Sequence, residues 1–280
     1  MQKPDVQGLN EEQFLKQYNP DKYPRPSVTV DIVIFTIADK HENNYRKLPD
    51  KELRVLLIQR GGHPYIGQWA LPGGFVKPEE TVGEAAYREL LEETGVMESH
   101  LEQLYTFSKP GRDPRTWVIS CAHMALIKAG DNLLKVGSDA DDARWFSLHT
   151  EDKNGQTSIS LLNDNTHLSA LFENESCDAE NSILENNGLA FDHANIIYCA
   201  LNRLRGKLEY TELVFNLLPE MFTLSELQQV YETILGRPLY KAAFRRKMKE
   251  LVIETGHYTE NAGHRPSQLY IYNKDNNIHR

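Results

Sequence analysis

Cysteine is scarce in this 280-residue chain: Cys121, Cys177 and Cys199 are odd in number and far apart. They form neither a CxxC metal pair nor a disulfide framework, which suits a reducing compartment. Long apolar runs are missing too. The most hydrophobic early stretch, Val28–Ala38, is broken by Asp31 and is far shorter than a bilayer span. The opening Met-Gln-Lys-Pro-Asp lacks the apolar segment of a secretory leader, so a cytoplasmic protein with no membrane partner is expected. No segment repeats with a period of about 20–50 residues, which excludes a solenoid. An excess of basic charge is also lacking. The 31 Lys and Arg face 40 Asp and Glu, a net charge of −9, which argues against a simple nucleic-acid binder.

The charge deficit is uneven. Residues 201–280 carry 12 basic and 9 acidic residues, a balance of +3, which leaves −12 for the first 200. An acidic part and a mildly basic part in one chain point to two tasks, and the length suits two domains. Residues 1–26 are polar and proline-bearing and read as an arm. Residues 27–149 read as an α+β domain. Its strands are the β-branched run Val28–Ile37, Leu53–Arg60, Gln103–Ser108, Trp117–Ile127 and Ala143–Phe146. A helix runs from Thr81 to Thr94, with Thr81 and Glu84 at capping-box spacing and Gly95 as its stop. Residues 150–187 read as a hairpin insertion around Asn163-Asp164-Asn165 followed by a polar linker. Residues 188–280 begin with a linker helix from Phe191 to Gly206. A capped helix opens at Thr223-Leu-Ser-Glu226, a basic helix spans Leu239–Leu251, and two strands lie near Val252–Tyr258 and Gln268–Tyr272. That order is that of a winged helix-turn-helix.

The sharpest feature is GFVKPEETVGEAAYRELLEETGV, from Gly74 to Val96. Glu89, Glu92 and Glu93 stand at i, i+3 and i+4, so their carboxylates share one helix face and repel. A compensating cation is the natural explanation, and hard oxygen ligands suit Mg²⁺ or Mn²⁺. Arg88 offsets part of the charge by pairing with Glu80 at the loop–helix junction. The spacing of Gly74, Glu80, Arg88-Glu89-Leu90, Glu92-Glu93 and Gly95-Val96 resembles the full Nudix box at every defined position. The approach Trp69-Ala-Leu-Pro-Gly-Gly is similar as well. That resemblance implies a Nudix-type α/β/α sandwich with a mixed sheet that cleaves nucleoside diphosphates linked to another moiety. It also implies Glu89, Glu92 and Glu93 as catalytic metal ligands, Gly74 contributing from the loop, and Glu80 with Arg88 as structural.

Substrate-facing residues are less constrained. Gly111-Arg112-Asp113-Pro114-Arg115 resembles a motif of ADP-ribose pyrophosphatases, which makes Arg112 and Arg115 candidate phosphate or ribose contacts. The same residues are also ordinary solvated turn chemistry. Arg60 and Lys77 face the same choice. Tyr65, Phe107 and Trp117 are candidates to face a base, or are core. The general base stays open between a box glutamate and a carboxylate such as Glu102 or Asp139.

In the basic helix, Phe244, Met248 and Leu251 form an apolar stripe, which leaves Lys241, Arg245, Arg246 and Lys247 on the outer face. With Arg265 in the turn of the wing, they could meet DNA phosphates, in a salt-dependent manner. Gly188–Lys247 resembles the Nudix-related transcriptional regulators of NAD metabolism. There the Nudix-like domain binds ADP-ribose or a related nucleotide, and the winged helix binds duplex DNA as a homodimer. Two readings follow. One is a Mg²⁺-dependent hydrolase that cleaves the pyrophosphate of ADP-ribose or a similar nucleotide sugar. The other is a nucleotide-responsive DNA-binding regulator with little hydrolysis. The intact box favours retained catalysis.

Overall fold

The computed structural model describes residues 6, 8–40, 49–97, 99–128, 140–173, 183–259 and 266–274. The mixed sheet is built on β1 (Ser27–Asp39), which pairs antiparallel with β2 (Lys51–Arg60) and parallel with β6 (Val118–Leu126). From Ile32 to Phe35 the run is continuously apolar because both faces of β1 are covered. Val33, Phe35 and Ile37 join one core cluster, while Val30, Ile32 and Ile34 join another. The second cluster includes Ala85, Ala86 and Leu90 of α2 (Val82–Thr94), which packs on that face. Thr81 and Glu84 cap α2 reciprocally, and Gly95 ends it at φ 70° in the left-handed region. Short strands β3 (Trp69–Ala70) and β4 (Gly73–Phe75) pair with β2 and β1, and β5 (His100–Phe107) forms the edge beyond β6.

The other side of the sheet grows further than expected. β7 (Ala140–Lys153) pairs with β2 and runs straight through His149, where the first domain was expected to end. β8 (Gln156–Asn163), β9 (Thr166–Glu173) and β10 (Ile183–Asn187) then extend the same sheet. β8 and β9 do form the expected hairpin around Asn163-Asp164-Asn165, but it continues the sheet of the first domain instead of standing apart, and the end of the expected linker is an edge strand. The reason is a core face. Ile159, Leu161, Leu168, Ala170 and Phe172 are buried, and the Phe172 ring stacks on Tyr198 at 4.6 Å.

Tyr198 belongs to α3 (His193–Lys207), which was expected to be a linker. Its Ala194, Ile197, Ala200, Leu201 and Leu204 are buried in the core cluster of β1 and β2, so it supplies the third layer of the sandwich. The same cluster continues into α4 (Leu224–Leu235), which packs on β2, and into Phe244 and Met248 of α5 (Lys241–Met248). The hairpin of β11 (Val252–Tyr258) and β12 (Gln268–Tyr272) completes the winged helix. α5 starts two residues later than expected because Leu239 is held outside it. Its N–H donates to Glu232 Oε1 at 2.8 Å and its carbonyl accepts from Gln228 Nε2 at 3.0 Å. On the N-terminal arm, α1 (Glu11–Gln17) buries none of its residues. No helix among the described residues is long and apolar enough to cross a membrane.

Candidate active site

The carboxylate face of α2 points inward. Glu89 and Glu93 are 9% and 6% exposed, while Glu92 stays exposed. Arg88 forks onto Glu80, with Nε and Nη2 at 3.0 and 2.7 Å from its two oxygens. Its Nη1 reaches Glu89 Oε1 at 2.6 Å and lies 3.5 Å from Glu92. This pairing holds the Glu80 carboxyl down at about 2, chiefly through the Arg88 hydrogen bonds. Burial has the opposite effect deeper in. It raises Glu89 despite Arg88, and it pushes Glu93 up to about 7, with Glu89 and Glu92 adding like-charge repulsion. Glu93 Oε2 is buried without a hydrogen-bond partner. Glu89 Oε1 lies so close to Gly74 that a Cβ there would stand 2.2 Å from it, so only glycine permits this approach.

These features fit a divalent cation. Three hard carboxylates have one resident cation between them, two are desolvated, and one oxygen lacks a partner. Among the described residues no three such side chains already converge as a cage, so the fit lies in the donor chemistry.

Beside Gly74 opens a cavity of about 560 Å³, within the range of small-molecule sites. Its lining includes Asp31, Arg60, Gly73, Gly74, Arg112, Arg115, Phe191 and His193. Phe191, at φ 52°, is the centre of an aromatic–cation cluster. Its ring lies 5.0 Å from the Arg60 guanidinium, 5.7 Å from that of Arg115, and 4.7 Å edge-on from the Tyr65 ring. Arg115 also pairs with Asp113 at 2.7 Å. Arg112, a candidate phosphate or ribose contact, lines the cavity and is also engaged within the protein. Its Nε and Nη2 donate to Asp192 at 2.9 and 2.7 Å, and Nη2 lies 3.4 Å from Asp31. Burial works against its charge, but Asp192 and Asp31 hold its pKa above the ordinary value. Asp31 also accepts from Ser120 Oγ at 2.5 Å. His193 accepts the Leu71 N–H on Nδ1 at 2.8 Å, and burial pushes its pKa below the ordinary value.

Other candidates fall elsewhere. Lys77 does not line the cavity; its backbone N–H bonds to Glu80. Phe107 is fully buried and Trp117 is half exposed outside the lining, so of the three proposed base-facing rings only Tyr65 reaches the cluster, through Phe191. Glu102 is bonded to Lys207 and His100 and is not in the cavity. Asp139 and Arg265 lie outside the described residues. Phe191, Asp192 and His193 were missed because they read only as the start of a helix. Asp31 did leave a signal, a lone carboxylate in an apolar strand. On α5, Lys241, Arg245 and Arg246 are exposed opposite buried Phe244 and Met248, beside Tyr240 at 90% exposure. Lys247 is exposed too and donates to the Glu209 carbonyl at 3.2 Å.

The chain matches the NUDIX domain family over residues 45–161 and the NrtR DNA-binding winged helix domain over 214–272. It is 35% identical over 272 residues to an ADPR responsive transcriptional repressor of Acinetobacter baylyi, covering 95% of this chain and 90% of that one. An ADP-ribose pyrophosphatase of Methanocaldococcus jannaschii is 39% identical over 48% of this chain and 69% of its own length. The crystal structure of Shewanella oneidensis NrtR complexed with a 27mer DNA aligns at a TM-score of 0.63 with 31% identity, covering 89% of this chain and 94% of that one.

Proposed function

Since this chain belongs to the NrtR-type Nudix proteins, we propose that it is a DNA-binding transcriptional regulator that reads ADP-ribose, or a closely related nucleoside-diphosphate derivative, in the cavity beside Gly74. One observation carries this reading: β2 serves both tasks. Its end supplies Ile58 and Arg60 to the cavity. At its start, the Lys51 carbonyl accepts from Thr233 Oγ1 of α4 at 3.3 Å, and α4 packs along the strand. A ligand that moves Arg60 therefore acts on an element that also seats the winged helix. Phe191 offers an aromatic ring for a base, and Arg60 and Arg115 close to it offer guanidinium groups for phosphate. Arg245, Arg246, Lys241 and Lys247 would meet DNA phosphates.

A second activity is favoured by the unpartnered oxygen of Glu93 and the close approach of Glu89 to Gly74. Glu89, Glu92 and Glu93, with the Gly74 loop, would hold Mg²⁺ or Mn²⁺. When bound, such an ion neutralises diphosphate charge and lowers the pKa of an attacking water. Arg88 fixes the orientation of Glu89, and Glu80 fixes Arg88. The chain would thus hydrolyse the pyrophosphate of the ligand it senses.

Binding to the DNA upstream of its own coding sequence, measured by fluorescence anisotropy with and without ADP-ribose, tests the first reading. Specific binding that ADP-ribose changes supports it, and DNA affinity indifferent to ADP-ribose refutes it. Release of AMP and ribose 5-phosphate from ADP-ribose with Mg²⁺ tests the second. A turnover that Glu93→Gln leaves untouched refutes it.

A further inference from the structure

Asp192 stands at the cap position of α3 and does not cap it. Its side chain makes no hydrogen bond to the first-turn amides. Aspartate is among the strongest N-cap residues, because its carboxylate accepts from those amides at the positive end of the helix. Here both of its oxygens are taken by Arg112, at 2.7 and 2.9 Å. One turn of helix away, buried Asn195 has an Oδ1 without a partner. The Arg112 side chain is only 5% exposed, yet the residue lines the cavity. One guanidinium between two carboxylates, beside an uncapped helix end, has two self-consistent pairings. In one, Asp192 holds Arg112. In the other, an anion in the cavity holds Arg112 and Asp192 caps α3.

We propose that Asp192 is the switch between the cavity and the winged helix: the diphosphate of the ligand takes Arg112, and Asp192 returns to cap α3. This rests on the regulator reading above. A phosphate matches the planar fork of a guanidinium as well as a carboxylate does, and the two phosphates of the ligand together carry two negative charges against the one of Asp192, so the diphosphate competes for Arg112 on favourable terms. α3 carries the consequence outward. At its start, His193 is pinned to Leu71 at 2.8 Å and lies 3.6 Å from Asp31. Near its end, Arg205 Nε donates at 2.8 Å to the carbonyl of Ile234, in the last turn of α4. A shift at the start of α3 therefore reaches the helix that positions α5. The clasped pairing, with Asp192 on Arg112, is the DNA-binding state, and the ligand releases DNA.

The test uses the full chain, with anisotropy for DNA and calorimetry for ADP-ribose, on wild type, Asp192→Asn and Asp192→Ala. Asparagine caps as well as aspartate but carries no charge for Arg112. Asp192→Asn should bind ADP-ribose about tenfold tighter and, without nucleotide, DNA about tenfold weaker, with little left of the ADP-ribose effect on DNA. Asp192→Ala should tighten ADP-ribose equally but weaken DNA less, since alanine cannot cap. In the wild type, which needs no variant to fold, saturating ADP-ribose should slow hydrogen exchange at the amide of Ala194, since that of Asn195 already donates to the Asp192 carbonyl. If Asp192→Asn responds as wild type does, or if the Ala194 amide exchanges unchanged on saturation, the switch is overturned and the regulator reading stands. If ADP-ribose leaves wild-type DNA affinity unchanged, the regulator reading falls and takes the switch with it.

Discussion

Two helices of this chain crowd like charges onto one face, and the fold treats them in opposite ways. α2 turns Glu89 and Glu93 inward, where burial raises both carboxyls and leaves one oxygen without a partner. α5 turns Lys241, Arg245 and Arg246 outward and buries Phe244 and Met248 instead. Desolvated charge is costly unless something compensates it, so a bound cation would relieve the inward face. The outward face is solvated and demands nothing until an anion arrives. The same sequence signal thus gives a buried charged face in one helix and a solvated one in the other.

The largest expected effect breaks the comparison on the α2 side. Glu93→Gln should lower Mg²⁺-dependent hydrolysis of ADP-ribose by roughly 100-fold or more, the scale of a disturbed metal site. DNA affinity without nucleotide should stay at the wild-type value, measured on the same preparation. The α5 side gives the mirror experiment. Arg245→Ala with Arg246→Ala should weaken DNA binding tens of fold at low salt and reduce the log–log salt slope by about 2. Hydrolysis should be unchanged. If either variant damaged both activities equally, the two helices would not be separate devices.

These two sites differed in legibility for the same physical reason. The capping box at Thr81 and Glu84, the Gly95 stop and the Glu80–Arg88 pairing are set by local spacing, and all three were readable. The winged-helix order was readable too, because caps and turns are local. The cavity was not. Phe191, Asp192 and His193 come from the start of α3, Arg112 and Arg115 from the loop before β6, and Arg60 from β2. Nothing local to 191–193 announces that Asp192 gives its oxygens to a residue 80 positions earlier. Arg112 was a candidate contact, but its carboxylate partner was not readable, for a similar reason. A Gly-Arg-Asp-Pro-Arg loop shows its charges, but the partner that consumes one of them is tertiary. The long sheet was missed because the polar half of β8 and β9 masks a buried alternate face, which needs α3 to be visible.

A third prediction sharpens the line between the aromatic and ionic parts of the cavity. Phe191→Ala should weaken ADP-ribose about tenfold, within the roughly 1–3 kcal/mol that stacking a base contributes. Binding of ribose 5-phosphate, which has no base, should stay within about twofold of wild type. Phe191→Trp should restore the affinity for ADP-ribose. Equal loss for both ligands, measured by calorimetry, would assign Phe191 to holding Arg60 and Arg115 in place and not to the base.

The smallest effect tests the comparison at its root, in the metal-free protein. Glu93 titrates near 7 when folded, against an ordinary value of 4.5. The folded state therefore binds its proton more tightly than the unfolded state does. The stabilisation is fully present below about 4.5 and is lost as pH rises through 7. Partial solvent access and relaxation reduce the ideal figure, leaving about 1–2 kcal/mol between pH 5 and 7.5, or a few degrees in the thermal midpoint. The measurement is the difference between wild type and Glu93→Gln in a chelator, so that other titrating groups cancel. Wild type should lose stability relative to the variant as pH rises, and saturating Mg²⁺ should abolish the trend by compensating the ionised carboxylate. Removing charge from α5 at Arg245 and Arg246 should give no comparable slope, since those guanidinium groups are solvated. A flat difference for Glu93 would mean that its face is as solvated as α5's, and burial would no longer distinguish the two helices.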